Sequence, residues 1–262
     1  MTTTTIRTSF DIAGRSLSYL DFGGTGRPLL ALHGHMSDAE SFTGLAQRLG
    51  PDWRLIALDQ RGHGYSDRPA DYSRQGYVAD VLALLDHLGL ERAVLLGHSV
   101  GGLNAYQLAA RHPERVEAII NADMAVSLGL DGTNPFEFLR ALPHQAPTRR
   151  QLIDEMGPLA SHFGALVRER ADGTWSLPFH PLDIIDSEEQ VHGDHWTDWL
   201  AGTCPALIIR GSDGAIPADQ AQAMAERRPH TRLVELDTDH FVYANDPDGF
   251  AAAVNEFLDQ LR

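Results

Sequence analysis

The stretch LLGHSVGGLNAYQLA, residues 95–109, places a serine between glycines directly after an apolar run. The pattern Gly97-x-Ser99-x-Gly101 suits a sharp strand-to-helix elbow, because small residues on both sides let the chain turn tightly and leave the serine hydroxyl exposed. A bend without chemistry would accept the same residues, so the meaning of Ser99 depends on its surroundings. Upstream, residues 93–96 form a short apolar run of the kind found in buried strands. Downstream, Leu103, Tyr106 and Ala110 recur at helical spacing until Pro113 stops the pattern, with Asn104 and Arg111 free to meet polar surroundings. Ser99 is therefore expected where a strand feeds a helix.

The same rhythm extends in both directions. Residues 6–22 alternate around Ala13 and Gly14, which predicts a hairpin, and the threonine run at 2–5 reads as a frayed start. Apolar runs recur at 28–32, 55–58, 116–120, 206–209 and 232–236, and helical spacing at 40–49, 76–88, 100–111, 218–227 and 248–261. Strands alternating with helices imply an α/β fold with a mainly parallel central sheet flanked by helices. Between 124 and 203 the rhythm fails, interrupted by prolines at 135, 143, 147, 158, 178 and 181. The domain reading is a core of 1–123 and 204–262 with a mostly helical lid at 124–203. Phe136, Trp175 and Phe179 are the lid aromatics expected to contact a nonpolar ligand; many of the others are expected only to fill the lid's own small core.

Composition limits the chemistry. The chain has 262 residues and a net charge of −15, without clustered basic residues, which argues against nucleic acid as a partner. All 21 basic residues are arginines, so a side-chain Schiff base is excluded. Cys204 is the one cysteine, which rules out an intrachain disulfide and reads as a small buried residue entering a strand. No signal peptide or membrane-spanning run is legible, so the expectation is a cytoplasmic protein with no membrane partner.

Four other features bear on Ser99. In LALHGHMSD, His33-Gly34-His35 follows an early strand, where a loop can aim a backbone N–H at an oxyanion; the donors expected are His35 and Val100. In LDQRGHGYSDRP, Asp59 and Arg61 are expected to brace a glycine turn and His63 to be a turn histidine. In DTDHFVYANDP, His240 follows the last strand and can take the serine proton; His98, beside the serine, points away from it. His192 and His195 in VHGDHW lack a clear third metal ligand and read as an exposed lid segment, so no metal or cofactor is expected. The acid that would orient His240 has two candidates. Asp213 lies in IIRGSDGAIP and Asp123 in IINADMA, and both satisfy the order serine, acid, histidine.

Taken in order, LHGH, DQRGHGYSDRP, GHSVGG, RGSDGAIP and DHF make the chain resemble the α/β-hydrolase superfamily over nearly its whole length. The resemblance implies Ser99 as nucleophile, His240 as base, and His35 and Val100 as oxyanion donors. For the acid, an aspartate four residues before a proline favours Asp213 with Pro217, although Gly211-Ser212-Asp213 is one residue shorter than the common Gly-x-x-Asp. Asp123, 24 residues after Ser99, is the superfamily's other acid position (123 − 99 = 24). A serine at the elbow suits attack on an acyl carbon, whereas the dehalogenase and epoxide hydrolase branches use aspartate there. The function expected is hydrolysis of a small, moderately apolar ester, lactone or thioester through an acyl-enzyme. The alternatives are a carbon-carbon bond hydrolase, a cofactor-independent oxygenase or lyase, and a small-molecule receptor. Oligomeric state is not legible.

Overall fold

A computed structural model describes residues 4–129 and 132–261; of the threonine run, Thr2 and Thr3 lie outside the described residues. Eight strands form one sheet: β1 (Ile6–Ile12), β2 (Arg15–Asp21), β3 (Arg27–Leu32), β4 (Trp53–Leu58), β5 (Ala93–His98), β6 (Val116–Ala122), β7 (Ala206–Asp213) and β8 (Thr231–Asp239). Their spatial order is β1-β2-β4-β3-β5-β6-β7-β8. The first hairpin joins the sheet antiparallel, and all pairs from β4 through β3 to β8 are parallel. Ala13 and Gly14 both adopt positive φ, 49° and 81°, which gives the hairpin a turn whose twist matches its strands.

The central strands are apolar without interruption because both faces are covered. Leu30, Leu95 and Ile208 pack on one side with Leu84, Leu103 and Met224. Leu29, Leu96 and Leu207 pack on the other with Phe42, Phe250 and Phe257. The longer helices are α1 (Arg74–His87), α2 (Val100–Arg111), α3 (Arg149–Met156), α4 (Pro181–Glu189), α5 (Trp196–Ala201), α6 (Ala218–Arg227) and α7 (Pro247–Asp259). The helix expected at 40–49 is instead a 3₁₀ turn, Ala39–Phe42, followed by a single α turn, Thr43–Ala46. Ser41 and Thr43 donate their hydroxyls to the carbonyls of Asp38 and Glu40 at 2.7 Å, which competes with a regular ladder.

Between β6 and β7 the chain leaves the sheet. This insertion holds α3, α4, α5 and small ladders such as Gln145–Ala146 with Trp175–Ser176. It has its own apolar cluster, including Leu139, Leu152, Met156, Phe163, Phe179 and Ile184. Asp183 fastens it to the core, accepting from Arg68 Nε at 2.6 Å and Tyr72 Oη at 2.6 Å.

Candidate active site

Ser99 follows β5 directly and caps α2 with φ 52° and ψ −128°, a conformation that costs a non-glycine residue about 1–3 kcal/mol. The surroundings enforce it. Ser99 N–H donates to the Ala122 carbonyl at 3.0 Å, and the Ser99 carbonyl accepts from Gly102 N–H at 2.7 Å. A Cβ on Gly97 would overlap the Gly101 carbonyl, and one on Gly101 would overlap the Leu32 carbonyl. The glycines of the motif are thus required by close backbone approach. Asn104, expected to face polar surroundings, is fully buried, donating to Gln60 Oε1 at 2.7 Å and accepting from Arg74.

His240 follows β8, and its Nδ1 lies 2.8 Å from Asp123 Oδ2. The aspartate in contact with His240 is therefore Asp123 and not Asp213, contrary to the first of the two expectations. Asp213 is the exposed last residue of β7, in register with Asp239. The physical reason lies in the short turn after β7. Arg210 ties it down by donating to the carbonyls of Ile216 at 2.7 Å and Ser212 at 2.9 Å. The turn then presents backbone amides to Asp123, whose carboxylate accepts from Gly211 N–H at 3.1 Å and Ala215 N–H at 2.6 Å. Gly214 packs so closely that an added Cβ would overlap that carboxylate. Asp123 itself is fully buried at φ 55°, another strained position beside the elbow.

Three further histidines are held neutral by burial. His98 Nε2–H donates to the His240 carbonyl at 2.9 Å, with ring centroids 4.6 Å apart, and burial pushes its pKa down to about 3. Sequence reasoning set His98 aside as pointing away from the serine; it fixes the loop that carries His240. His33 Nε2 accepts from Gln60 N–H at 3.0 Å, which makes its Nδ1 the donor to the Gly34 carbonyl at 2.7 Å. Burial lowers the His33 pKa, in keeping with that neutral tautomer. His63 is buried, its Nδ1 2.9 Å from the Arg61 carbonyl, and its pKa falls well below the ordinary range for the same reason. Asp59 accepts from Ala39 N–H at 2.9 Å and Tyr65 N–H at 3.1 Å, and Arg61 Nε donates to Asp80 at 2.7 Å. Burial pushes the Cys204 thiol up, so it is not an activated nucleophile.

Ser99, Val100 and His240 open onto one cavity of about 220 Å³. Its other lining residues are Met124, Ala125, Leu128, Pro135, Phe136, Glu188, Val191 and Ala215, most of them from the insertion. Phe136 is in place; Trp175 and Phe179 are not. Phe179 is 1% exposed inside the insertion's apolar cluster, and Trp175 packs against that cluster from its ladder. Both are consumed in giving a short, proline-broken segment a core of its own. His192 and His195 are half-buried rather than exposed, bound to Glu188 and to the Val191 carbonyl. Among the described residues no three His, Cys, Asp or Glu side chains are grouped to hold a metal ion, and no helix is long and apolar enough to cross a membrane. A recess of about 300 Å³ between Ser37–Ser41 and Ala165–Arg168 contains neither Ser99 nor His240. Glu188 carried no signal in the sequence, since one acidic residue in a charged helix resembles any other.

Comparison with known proteins agrees with this architecture. The model of the α/β-hydrolase fold family matches residues 27–247, and the chain belongs to that family. It is an enzyme of hydrolase type. The chain is 30% identical to a 2-hydroxymuconate semialdehyde hydrolase of Pseudomonas putida, over 90% of this chain and 88% of that one. It is 27% identical to a 2-(acetamidomethylene)succinate hydrolase of Mesorhizobium japonicum, over 90% and 89%. Among solved structures, the enol-lactonase of Burkholderia xenovorans superposes with a TM-score of 0.78, at 24% identity over 96% of this chain and 100% of that one, a likeness of fold.

Proposed function

We propose that the chain is a serine acyl hydrolase that cleaves a small, moderately apolar ester, lactone or thioester through an acyl-enzyme. The observation that carries this reading is the strained Ser99 in one cavity with His240, whose Nδ1 is fixed by the buried Asp123. With Nδ1–H donated to Asp123, the His240 Nε2 is left as proton acceptor. Ser99 Oγ attacks the substrate carbonyl and passes its proton to His240, which returns it to the leaving group; water then repeats the sequence on the acyl-enzyme. The oxyanion is assigned to two amides. Val100 N–H is among the unpaired donors of the first turn of α2. The Gly34 carbonyl is turned to His33, so the His35 N–H of the same planar peptide points the opposite way, beside the elbow that Gly34 abuts. The insertion is assigned as a lid, since it supplies most of the apolar wall over Ser99. The reading places the enzyme in the cytoplasm, with its single cysteine free.

A second reading, carbon-carbon bond cleavage by the same residues, is favoured by the name of the 30%-identical relative. One panel tests both. Esters of graded chain length, lactones, thioesters and 2-hydroxymuconate semialdehyde are offered to the protein and to Ser99→Ala, with phosphonate labelling read by intact mass. Ester turnover and labelling lost together in the variant support the acyl hydrolase; turnover of the semialdehyde alone supports the second reading; labelling absent from the parent protein rejects Ser99 as nucleophile.

A further inference from the structure

Apart from Ser99 and His240, the cavity has one ionisable side chain among its described lining residues, Glu188 of α4. Among the described residues no arginine lines it, and the chain has no lysine. Glu188 is held in place from behind. Its Oε2 lies 3.2 Å from His35 Nδ1 and its Oε1 3.4 Å from His192 Nε2. His35 is set in turn by Ser187, whose Oγ lies 2.9 Å from His35 Nε2, 2.9 Å from Tyr77 Oη and 3.1 Å from Arg74 Nη2. Arg74 donates to that hydroxyl, so the serine proton is free for His35 Nε2 and the His35 proton sits on Nδ1, facing Glu188. Burial lowers the His35 pKa, in keeping with a neutral ring. The nearby cation, Arg74, stands behind Ser187 and is occupied with Asn104 and the Tyr72 carbonyl; it does not line the cavity. A carboxylate has about four acceptor positions, and the two imidazoles approach it from behind, away from the substrate. A substrate in the cavity therefore meets an acceptor with negative charge in an otherwise apolar wall.

We propose that Glu188 selects the substrate: it accepts a hydrogen bond from an uncharged N–H or O–H group on the acyl chain and rejects an acyl chain that ends in a carboxylate. The proposal rests on Ser99 being the nucleophile. The discrimination has two parts. An amide or hydroxyl pairs with a charged acceptor, whereas a second carboxylate brings like charge into a cavity whose described lining includes no arginine or lysine and leaves both groups short of donors. A carboxamide and a carboxylate have nearly the same shape, so size does not separate them.

The test uses two methyl p-nitrophenyl alkylphosphonates whose short chains end in a carboxamide or a carboxylate. In each, Ser99 Oγ forms a bond to phosphorus, p-nitrophenolate departs with the electron pair, and the serine proton passes to His240. Rates of p-nitrophenolate release, divided by each probe's hydrolysis rate in buffer, are paired with intact mass to locate the adduct. The carboxamide is expected to label the parent protein at least about tenfold faster than the carboxylate. In Glu188→Gln, neutral and of the same shape, the ratio is expected to fall within about threefold of unity, chiefly because the carboxylate probe speeds up. Equal rates in the parent protein overturn the selectivity while keeping the nucleophile, and they can be read even if the variant fails to fold. A ratio unchanged in the variant likewise removes Glu188 from the selection. An adduct with neither probe overturns the reading of Ser99, and the selectivity falls with it.

Discussion

Asp123 directly follows β6 and Asp213 ends its parallel neighbour β7, so both sit at the C-terminal ends of the strands, yet one touches His240 and the other faces solvent. Asp123 is at 0% exposure and receives two backbone amides as well as the imidazole. Both amides come from the turn that Asp213 occupies. The second loop therefore serves the first: it gives up its own carboxylate to solvent and contributes N–H groups that hold a buried one in place. A carboxylate becomes an orienting group through what surrounds it more than through its position relative to a motif.

The widest separation between the two comes from the same change made in both. Asp123→Asn is expected to lower kcat by about 10⁴-fold, because an amide facing His240 Nδ1 favours the wrong tautomer. Asp213→Asn is expected to stay within about threefold of the parent, as an exposed strand end should. Steady-state hydrolysis of the best ester in the panel checks both, and a large loss at Asp213 would reverse the assignment. A smaller effect tests the link between the loops. In Gly214→Ala the new methyl must displace the Asp123 carboxylate, and a shift of the order of 1 Å is expected to cost about 10²-fold in kcat without touching either aspartate. Parent-like activity there would mean that the turn does not hold Asp123 in place.

Acid gives the mildest probe, acting on the buried side alone. His98, on the strand next to β6, has its pKa pushed down to about 3, whereas the unfolded chain takes up its proton near 6.5. Between these values the unfolded state binds one more proton than the folded state, so stability is greatest above pH 6.5 and falls as the pH drops toward 3. The slope is about 1.4 kcal/mol per pH unit for each such histidine. The melting temperature is expected to fall steadily from pH 6.5 to 4. His98→Gln keeps an N–H for the His240 carbonyl but cannot take a proton, and its melting temperature should fall less steeply. Parallel curves would remove His98 as the source.

The comparison also explains what could be read in advance. Strands, helices and the elbow are local: the periods of apolar residues, the glycines around Ser99 and the proline that ends α2 act within a few residues. Those signals hold for β5 and α2 almost to the residue. They fail at 40–49, where side chains bond to nearby carbonyls, and they give Asn104 polar surroundings without naming its partners, which come from β4's following loop and from α1. Phe136 and Phe179 show the same limit in the insertion. They read alike as lid aromatics, yet one lines the cavity and the other fills a core assembled from several short segments.

The sequence by itself determined the doubly covered parallel sheet, the position of Ser99 at a strand-to-helix turn and the exclusion of lysine chemistry, because each depends on residue types and spacings along one stretch of chain. Tertiary structure alone decided which aspartate meets His240, that His98 steadies the loop beyond it, and that Glu188 is the charge in the cavity wall. These depend on amides and imidazoles separated by tens of residues to more than a hundred converging on one point, and such convergence is set by how strands stack and turns close, not by any local pattern.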